Sequence, residues 1–258
     1  MDRWINRFKL NHSIWVFVPS DDSRQVGRKI KTAIEKNYKF PEFYFHLKNG
    51  SHIKALNSHM QHEYFASLDI ENFFGNINKS RITRVLKIFF SYDEAREYAN
   101  WSVVRNPDEN SNESILPFGF VQSPALASLC LDKSKLGRVL RNINNLDVSV
   151  SVYMDDIILS SNDKALLYKS LKKVEEASEK SKFPLNKDKK NNPSNKVTVF
   201  NIDLSRGKLQ INNKRIKEFQ SAYEKTGLDE EKKGILNYIK TINPIQEKQF
   251  IRNNRDGI

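Results

Sequence analysis

Residues 148–161 put the strongest constraint on what this chain can fold into. Val148-Ser149-Val150-Ser151-Val152 alternates apolar and polar side chains, the period of a half-buried strand. Ile157-Ile158-Leu159 is a short, apolar, β-branched run that reads as a second strand. Between them stands Tyr153-Met154-Asp155-Asp156. Two strands meeting there make a hairpin with two acids at its tip. Adjacent carboxylates repel, and a site that keeps both ionised usually supplies a divalent cation. Taken alone, the same residues also fit an Asp-Asp turn between two core strands. The rest of the chain decides between these readings.

Upstream, Phe65-Ala66-Ser67-Leu68-Asp69-Ile70 is another apolar strand ending in an acid, followed by Glu71-Asn72-Phe73-Phe74. Between the acids lies Leu116-Pro117-Phe118-Gly119-Phe120-Val121-Gln122-Ser123-Pro124. In this order the three segments resemble the palm of reverse transcriptases. Spacing and flanks are most similar to the bacterial ones: retron, group II intron, and abortive-infection or defence-associated enzymes. The resemblance runs from about residue 40 to residue 212.

The resemblance implies an α+β right-hand polymerase fold, with a palm of antiparallel sheet plus helices, fingers, and a small helical thumb. Residues 1–66 would be an N-terminal and fingers region, 67–212 the palm with fingers elements interleaved, and 213–258 the thumb. It also implies an RNA-directed DNA polymerase, a nucleotidyltransferase using two Mg²⁺ ions, with Mn²⁺ as the alternative. Adding a nucleotide is an in-line displacement at phosphorus, and two ions serve it by activating the attacking hydroxyl and steadying the leaving group. Asp69 and Asp155 would bridge both ions, Asp156 would support them, and the backbone carbonyl of Ile70 would be a further ligand. Phe74 would lie under the sugar and exclude a 2′-hydroxyl.

Several residues depart from the family's pattern or leave a choice open. Reverse transcriptases commonly carry Gln where this chain has Phe118, which exchanges hydrogen bonds for stacking. Several defence-associated enzymes share this form. Gly119 and Gln122 would stand at the nucleotide, Gly119 where backbone approaches a ligand closely. In Phe183-Pro184-Leu185-Asn186-Lys187-Asp188-Lys189, Lys189 matches the lysine near the pyrophosphate by register, and Lys187 competes with it. Lys48 and Lys54 flank a turn and would grip the triphosphate, because basic groups suit that anion. His52 and His59 read as structural. Val197-Thr198-Val199 would begin the primer-grip hairpin, without the glycine that retron enzymes carry after Val-Thr.

Partners implied are dNTPs, an RNA template or noncoding RNA, and a DNA product, with an effector protein or a second copy of the chain supplying what 258 residues do not. The setting implied is a bacterial cytoplasm and antiphage defence. Untemplated or protein-primed synthesis by the same site is an alternative, and so is a non-catalytic nucleic-acid-binding scaffold. An RNA-dependent RNA polymerase is disfavoured by Phe74 and by Tyr-Met in front of the paired acids.

Composition bears on partners. The 43 Lys and Arg against 31 Asp and Glu give a net charge of +12, which suits a polyanion. One cysteine, Cys130, excludes an intrachain disulfide and a cysteine zinc cluster. The absence of about 18 consecutive apolar residues argues against a membrane span, and the first residues carry no signal-peptide pattern.

For the remaining elements, the pattern predicts a strand over 12–18 and a helix from Asp21 to Tyr38 capped near Ser20, Asp21 and Asp22. Further helices are predicted from Asn78 to Phe90, from Ser123 with Ser as N-cap, and from Asp163 to Lys182. Residues 105–114 read as an exposed loop, 196–204 and 208–211 as a hairpin, and the tail from Asn213 as helical.

Overall fold

The computed structural model describes residues 3–10, 14–48, 50–107 and 113–255. It opens on a hairpin of β1 (Trp4–Lys9) and β2 (Trp15–Pro19). Helix α1 (Asp21–Asn37) follows, capped by Ser20, whose side chain accepts from the Ser23 N–H. A 3₁₀ turn over Phe45–Leu47 leads to the short α2 (His52–Asn57) and then β3 (Tyr64–Asp69). Two packed helices, α3 (Lys79–Leu86) and α4 (Tyr92–Ser102), precede a two-residue ladder of β4 (Val104–Arg105) and β5 (Ser114–Ile115). Next come α5 (Ser123–Asp132), α6 (Lys135–Asn144), β6 (Ser149–Tyr153), β7 (Asp156–Ser161) and α7 (Lys164–Lys180). The described chain ends with β8 (Asn191–Ser194), β9 (Lys196–Val199), β10 (Ile202–Ser205), β11 (Lys208–Ile211), α8 (Asn213–Lys225), α9 (Asp229–Ile242) and α10 (Pro244–Arg255).

The frame is an antiparallel sheet of order β6-β7-β3-β8. Strand alternation sorts its side chains between two cores. Ala66, Leu68, Val150, Val152, Ile157 and Leu159 join the core built with α5, α6 and α7. Phe65 and Ile158 point the other way, into a second core with Leu56, the β9-β10-β11 meander and α9.

The alternating serines lie on that second face. His59 is fully buried over them, with Nδ1 2.6 Å from the Ser160 hydroxyl and Nε2 2.8 Å from that of Ser151. This agrees with a structural role. Burial pushes its pKa down to about 3, against ~6.5 in an unfolded chain. Between those values the unfolded chain holds the extra proton. Stability is therefore full above pH ~6.5 and is lost as pH falls toward 3, at ~1.4 kcal/mol per pH unit for one proton. Buried His46, held down to about 4, adds to the same acid limb. Urea unfolding of His59→Gln across pH 4–7 is expected to give a flatter acid limb than the wild type. An unchanged slope would show that another group titrates there.

Several boundaries differ from the pattern. The strand predicted over 12–18 is β2 at 15–19; positions 12 and 13 lie outside the described residues, as do 108–112 of the predicted loop. The helix predicted to Phe90 ends at Leu86, and Ile88 to Phe90 continue as turns. The helix starting near Ser123 breaks into two at Lys133 and Ser134, where Ser134 caps α6 by accepting from the Gly137 N–H. Its first cap residue is Gln122, with Pro124 in the first turn. The predicted 196–204 arm is two strands, turned at Phe200 and Asn201. Both turn residues have positive φ (56° and 61°), the pair that a two-residue type I′ hairpin needs.

Candidate active site

Strand register brings the acids together. Asp69 at the end of β3 stands opposite Asp156 at the start of β7, and Tyr153 stands opposite Asp156 from the other side. Directly opposed residues share a sheet face. Met154 and Asp155 form the intervening turn. The Ile70 N–H donates to the Asp155 carbonyl at 2.9 Å, and the Asn186 N–H donates to the Asp69 carbonyl at 2.9 Å. Backbone bonds thus tie the end of β3 to the acid hairpin and to the segment after α7.

Like charges opposed across a ladder are destabilising, and here they are also withdrawn from water. Asp69 is only 6% exposed. Burial, then the charges of Asp155 and Asp69, push Asp156 up to about 7. Burial also raises Asp155. Positive charge comes from Lys189, whose Nζ is 2.9 Å from Asp69 Oδ2, a bond that raises the lysine's pKa. The Asn186 side chain accepts from the Asp188 N–H and opens the 3₁₀ turn, Lys187–Lys189, that delivers this lysine. Lys187 is exposed. Of the two lysines, Lys189 is the one at the acids.

Among the described residues, no three acids stand ready as a closed ligand set; Lys189 engages one of the carboxylates. The donor chemistry nonetheless fits a hard divalent cation: the carboxylate oxygens of buried Asp69 and half-buried Asp155 and Asp156, brought to the end of one sheet.

Sequence patterning gave no sign of what holds the hairpin tip. Met154 has φ +57°, a left-handed conformation that costs a side-chain-bearing residue energy. Its N–H donates to His46 Nδ1 at 2.9 Å, and His46 Nε2 lies 2.7 Å from the Ser128 hydroxyl on α5. Accepting at Nδ1 leaves the proton on Nε2, donated to Ser128. Burial keeps this ring neutral. Tyr153 packs among His46 (ring centroids 5.7 Å), His52 (6.1 Å) and Phe200 (5.4 Å). His52 reaches the Tyr238 hydroxyl at 3.1 Å, which links α2 to α9.

The other predicted site residues separate. Phe73 and Phe74 lie in a turn and face different ways: Phe73 is core, while half-buried Phe74 meets Phe118 edge-to-face at 5.4 Å. Phe118 is 40% exposed, and its carbonyl accepts from the Phe17 N–H. Gly119 is exposed with φ +107°, and a Cβ there would meet the Phe17 carbonyl oxygen at 2.4 Å, so on that side it accommodates the backbone of β2. Gln122 needs correction. It is fully buried, its amide reaching the Trp101 carbonyl and the Ser102 hydroxyl, and Gly27 makes room for it. It packs α5 against α4 and α1 and is closed to a nucleotide. Lys48 pairs with Glu42, and Lys54 is exposed on α2. Ile70 is buried. Cys130 is a buried free thiol in the core. No helix among the described residues is long and apolar enough to cross a membrane.

Comparison with solved structures gives the same architecture. The chain matches a foamy viral protease-reverse transcriptase, solved in complex with double-stranded DNA, at 17% identity and a TM-score of 0.52, covering 90% of this chain and 34% of that one. It matches telomerase from Candida albicans, solved with a fragment of telomeric RNA, at 9% identity and a TM-score of 0.55, covering 88% and 47%. It therefore spans about a third to a half of those chains. No curated protein matches the sequence at a significant level. The fold is the α+β right-hand polymerase fold. The family model for reverse transcriptase (RNA-dependent DNA polymerase) matches residues 11–225, most of the length, and the chain belongs to that family.

Proposed function

We propose that the chain is an RNA-directed DNA polymerase, a nucleotidyltransferase whose active site is Asp69, Asp155, Asp156 and Lys189. The observation that carries this reading is the meeting of three carboxylates, Asp69 buried and Asp155 and Asp156 half-buried, with one lysine at the end of a sheet. In this reading the three carboxylates and the Ile70 carbonyl hold two Mg²⁺ ions, or Mn²⁺. When bound, these ions neutralise the acids and supply Lewis-acid charge to the reacting phosphate. Lys189, released from Asp69, is placed to neutralise or protonate the leaving pyrophosphate. The Phe74–Phe118 pair forms the wall beneath the sugar. His46 fixes the turn that aims Asp155. Residues 1–66, 67–212 and 213–258 serve as the N-terminal and fingers region, the palm, and the thumb.

The subfamily and setting belong to the same proposal: a bacterial, retron-like or abortive-infection enzyme of antiphage defence, acting in the cytoplasm. It would work on dNTPs with an RNA template or noncoding RNA, make DNA, and pair with an effector protein or a second copy. One observation favours untemplated or protein-primed synthesis as the second reading. Phe118 replaces a hydrogen-bonding amide, and buried Gln122 does not restore it. Purified protein with its bound nucleic acid, given each labelled dNTP singly and then all four with Mg²⁺, tests both readings. Sequenced product copied from RNA supports the first, and homopolymer from single dNTPs supports the second. No incorporation under any condition would leave a binding scaffold.

A further inference from the structure

α3 and α4 pack so that their outer faces enclose a groove of about 380 Å³, lined by Lys79, Thr83, Arg84, Lys87, Tyr92 and Arg96, with Ser80 at its edge. None of the active-site residues lines it. Helical spacing makes this division: Ile82, Val85 and Leu86 face the core, while positions 79, 83 and 87, and 80 and 84, fall on the outer side. The lining carries four cations and no carboxylate. Among the described residues none of the four forms an ion pair within 4.0 Å, although the acids Asp93, Glu94 and Glu97 are on α4 itself. Glu94 is turned back to cap its own helix at Ser91.

Two features set this cluster apart from a merely solvated basic face. Lys79 occupies the first turn of α3, where the helix dipole favours acids, and that turn carries none. Four like charges gathered in one concavity repel one another, which an external anion relieves. At the centre is Tyr92, 51% exposed, with Lys87 5.3 Å and Arg96 6.0 Å from its ring centre, and the Arg96 Nη1 donating to its hydroxyl at 3.0 Å. A held aromatic ring among cations is the composition of a single-strand site, in which cations take phosphates and the ring takes a base.

We propose that the α3–α4 groove is a second nucleic-acid site, holding single-stranded RNA outside the active site. This rests on the nucleic-acid reading of the family but not on catalysis. The test loads the full-length protein with a short annealed primer–template and measures binding of a labelled 20-nucleotide single-stranded RNA across salt concentrations. Primer extension is followed in the same samples. Arg84→Gln/Lys87→Gln is expected to weaken the single strand about tenfold or more. It should flatten the log affinity–log salt slope by about 1.4, two phosphates at ~0.7 each. Extension of the short primer should stay unchanged. Tyr92→Ala should weaken RNA with less effect on the slope, and Arg84→Lys/Lys87→Arg should restore binding. Photo-crosslinking of 4-thiouridine RNA to wild-type protein should label the peptide spanning 79–96, a readout that needs no variant. Unchanged affinity and slope in the glutamine variant, or crosslinks confined elsewhere, would overturn the groove. Wild-type extension without any single-strand binding would overturn it too and leave the polymerase reading standing. Loss of extension in the wild type would instead count against the polymerase reading, while the binding data still decide the groove.

Discussion

Asp155→Asn and Asp69→Asn are each expected to reduce nucleotide incorporation by about a thousandfold or more, on the order of 4 kcal/mol of transition-state stabilisation. Asparagine keeps the shape and removes the charge that a cation needs. The fold should survive, because asparagine keeps the side-chain size and burial already disfavours the charged forms of Asp155 and Asp156. Asp156 shows this most plainly. Its pKa is pushed up to about 7 by burial and by its two neighbours, against ~3.9 in an unfolded chain. In metal-free protein its contribution to stability is therefore lost as pH rises from ~3.9 through 7. In EDTA at pH 8, Asp156→Asn should melt at a higher temperature than the wild type while incorporating less nucleotide. Near-wild-type incorporation by Asp155→Asn would sink the assignment of the active site. A lower melting temperature for Asp156→Asn would sink the repulsion argument.

The second large effect concerns the sugar. Phe74→Val should raise ribonucleotide use relative to deoxynucleotide use by about ten- to a hundredfold, measured as the ratio of kcat/KM values. In the proposed site the ring would leave no room for an added oxygen, and valine would open that space. Phe118 and Phe74 meet edge-to-face, so Phe118→Ala should loosen the Phe74 ring and shift the ratio in the same direction by less. Phe73→Leu is the control: Phe73 is core, packed on Phe183 at 5.7 Å between centroids, and should change stability more than selectivity. An unmoved ratio in both Phe74→Val and Phe118→Ala would show that no steric gate operates at this pair.

The acid hairpin and the β3 strand were legible in the sequence because their information is local. A period of two sorts side chains between faces, and a break in that period at Tyr153-Met154-Asp155-Asp156 marks a turn. The order of the three segments carried the family in the same way. Helix ends were less legible. Whether α3 stops at Leu86, or the run from Ser123 divides at Ser134, depends on capping bonds and packing that a periodic pattern does not encode.

Side-chain destinations needed the fold. Gln122 and Gly119 stand in a motif read as nucleotide-binding, yet one fills the space between three helices and the other admits a strand backbone. A motif's spacing states which residues travel together and leaves open which way each one faces. Register favoured Lys189 over Lys187, and only the fold shows that the Lys189 Nζ reaches Asp69 while Lys187 faces solvent. His46 could not be found by spacing at all, since its partners Met154 and Ser128 are far away in the chain. By itself, then, the sequence determined the strands, their acids and their family. Tertiary structure alone decided register, burial and partners, because these follow from contacts between distant segments and no local pattern carries them.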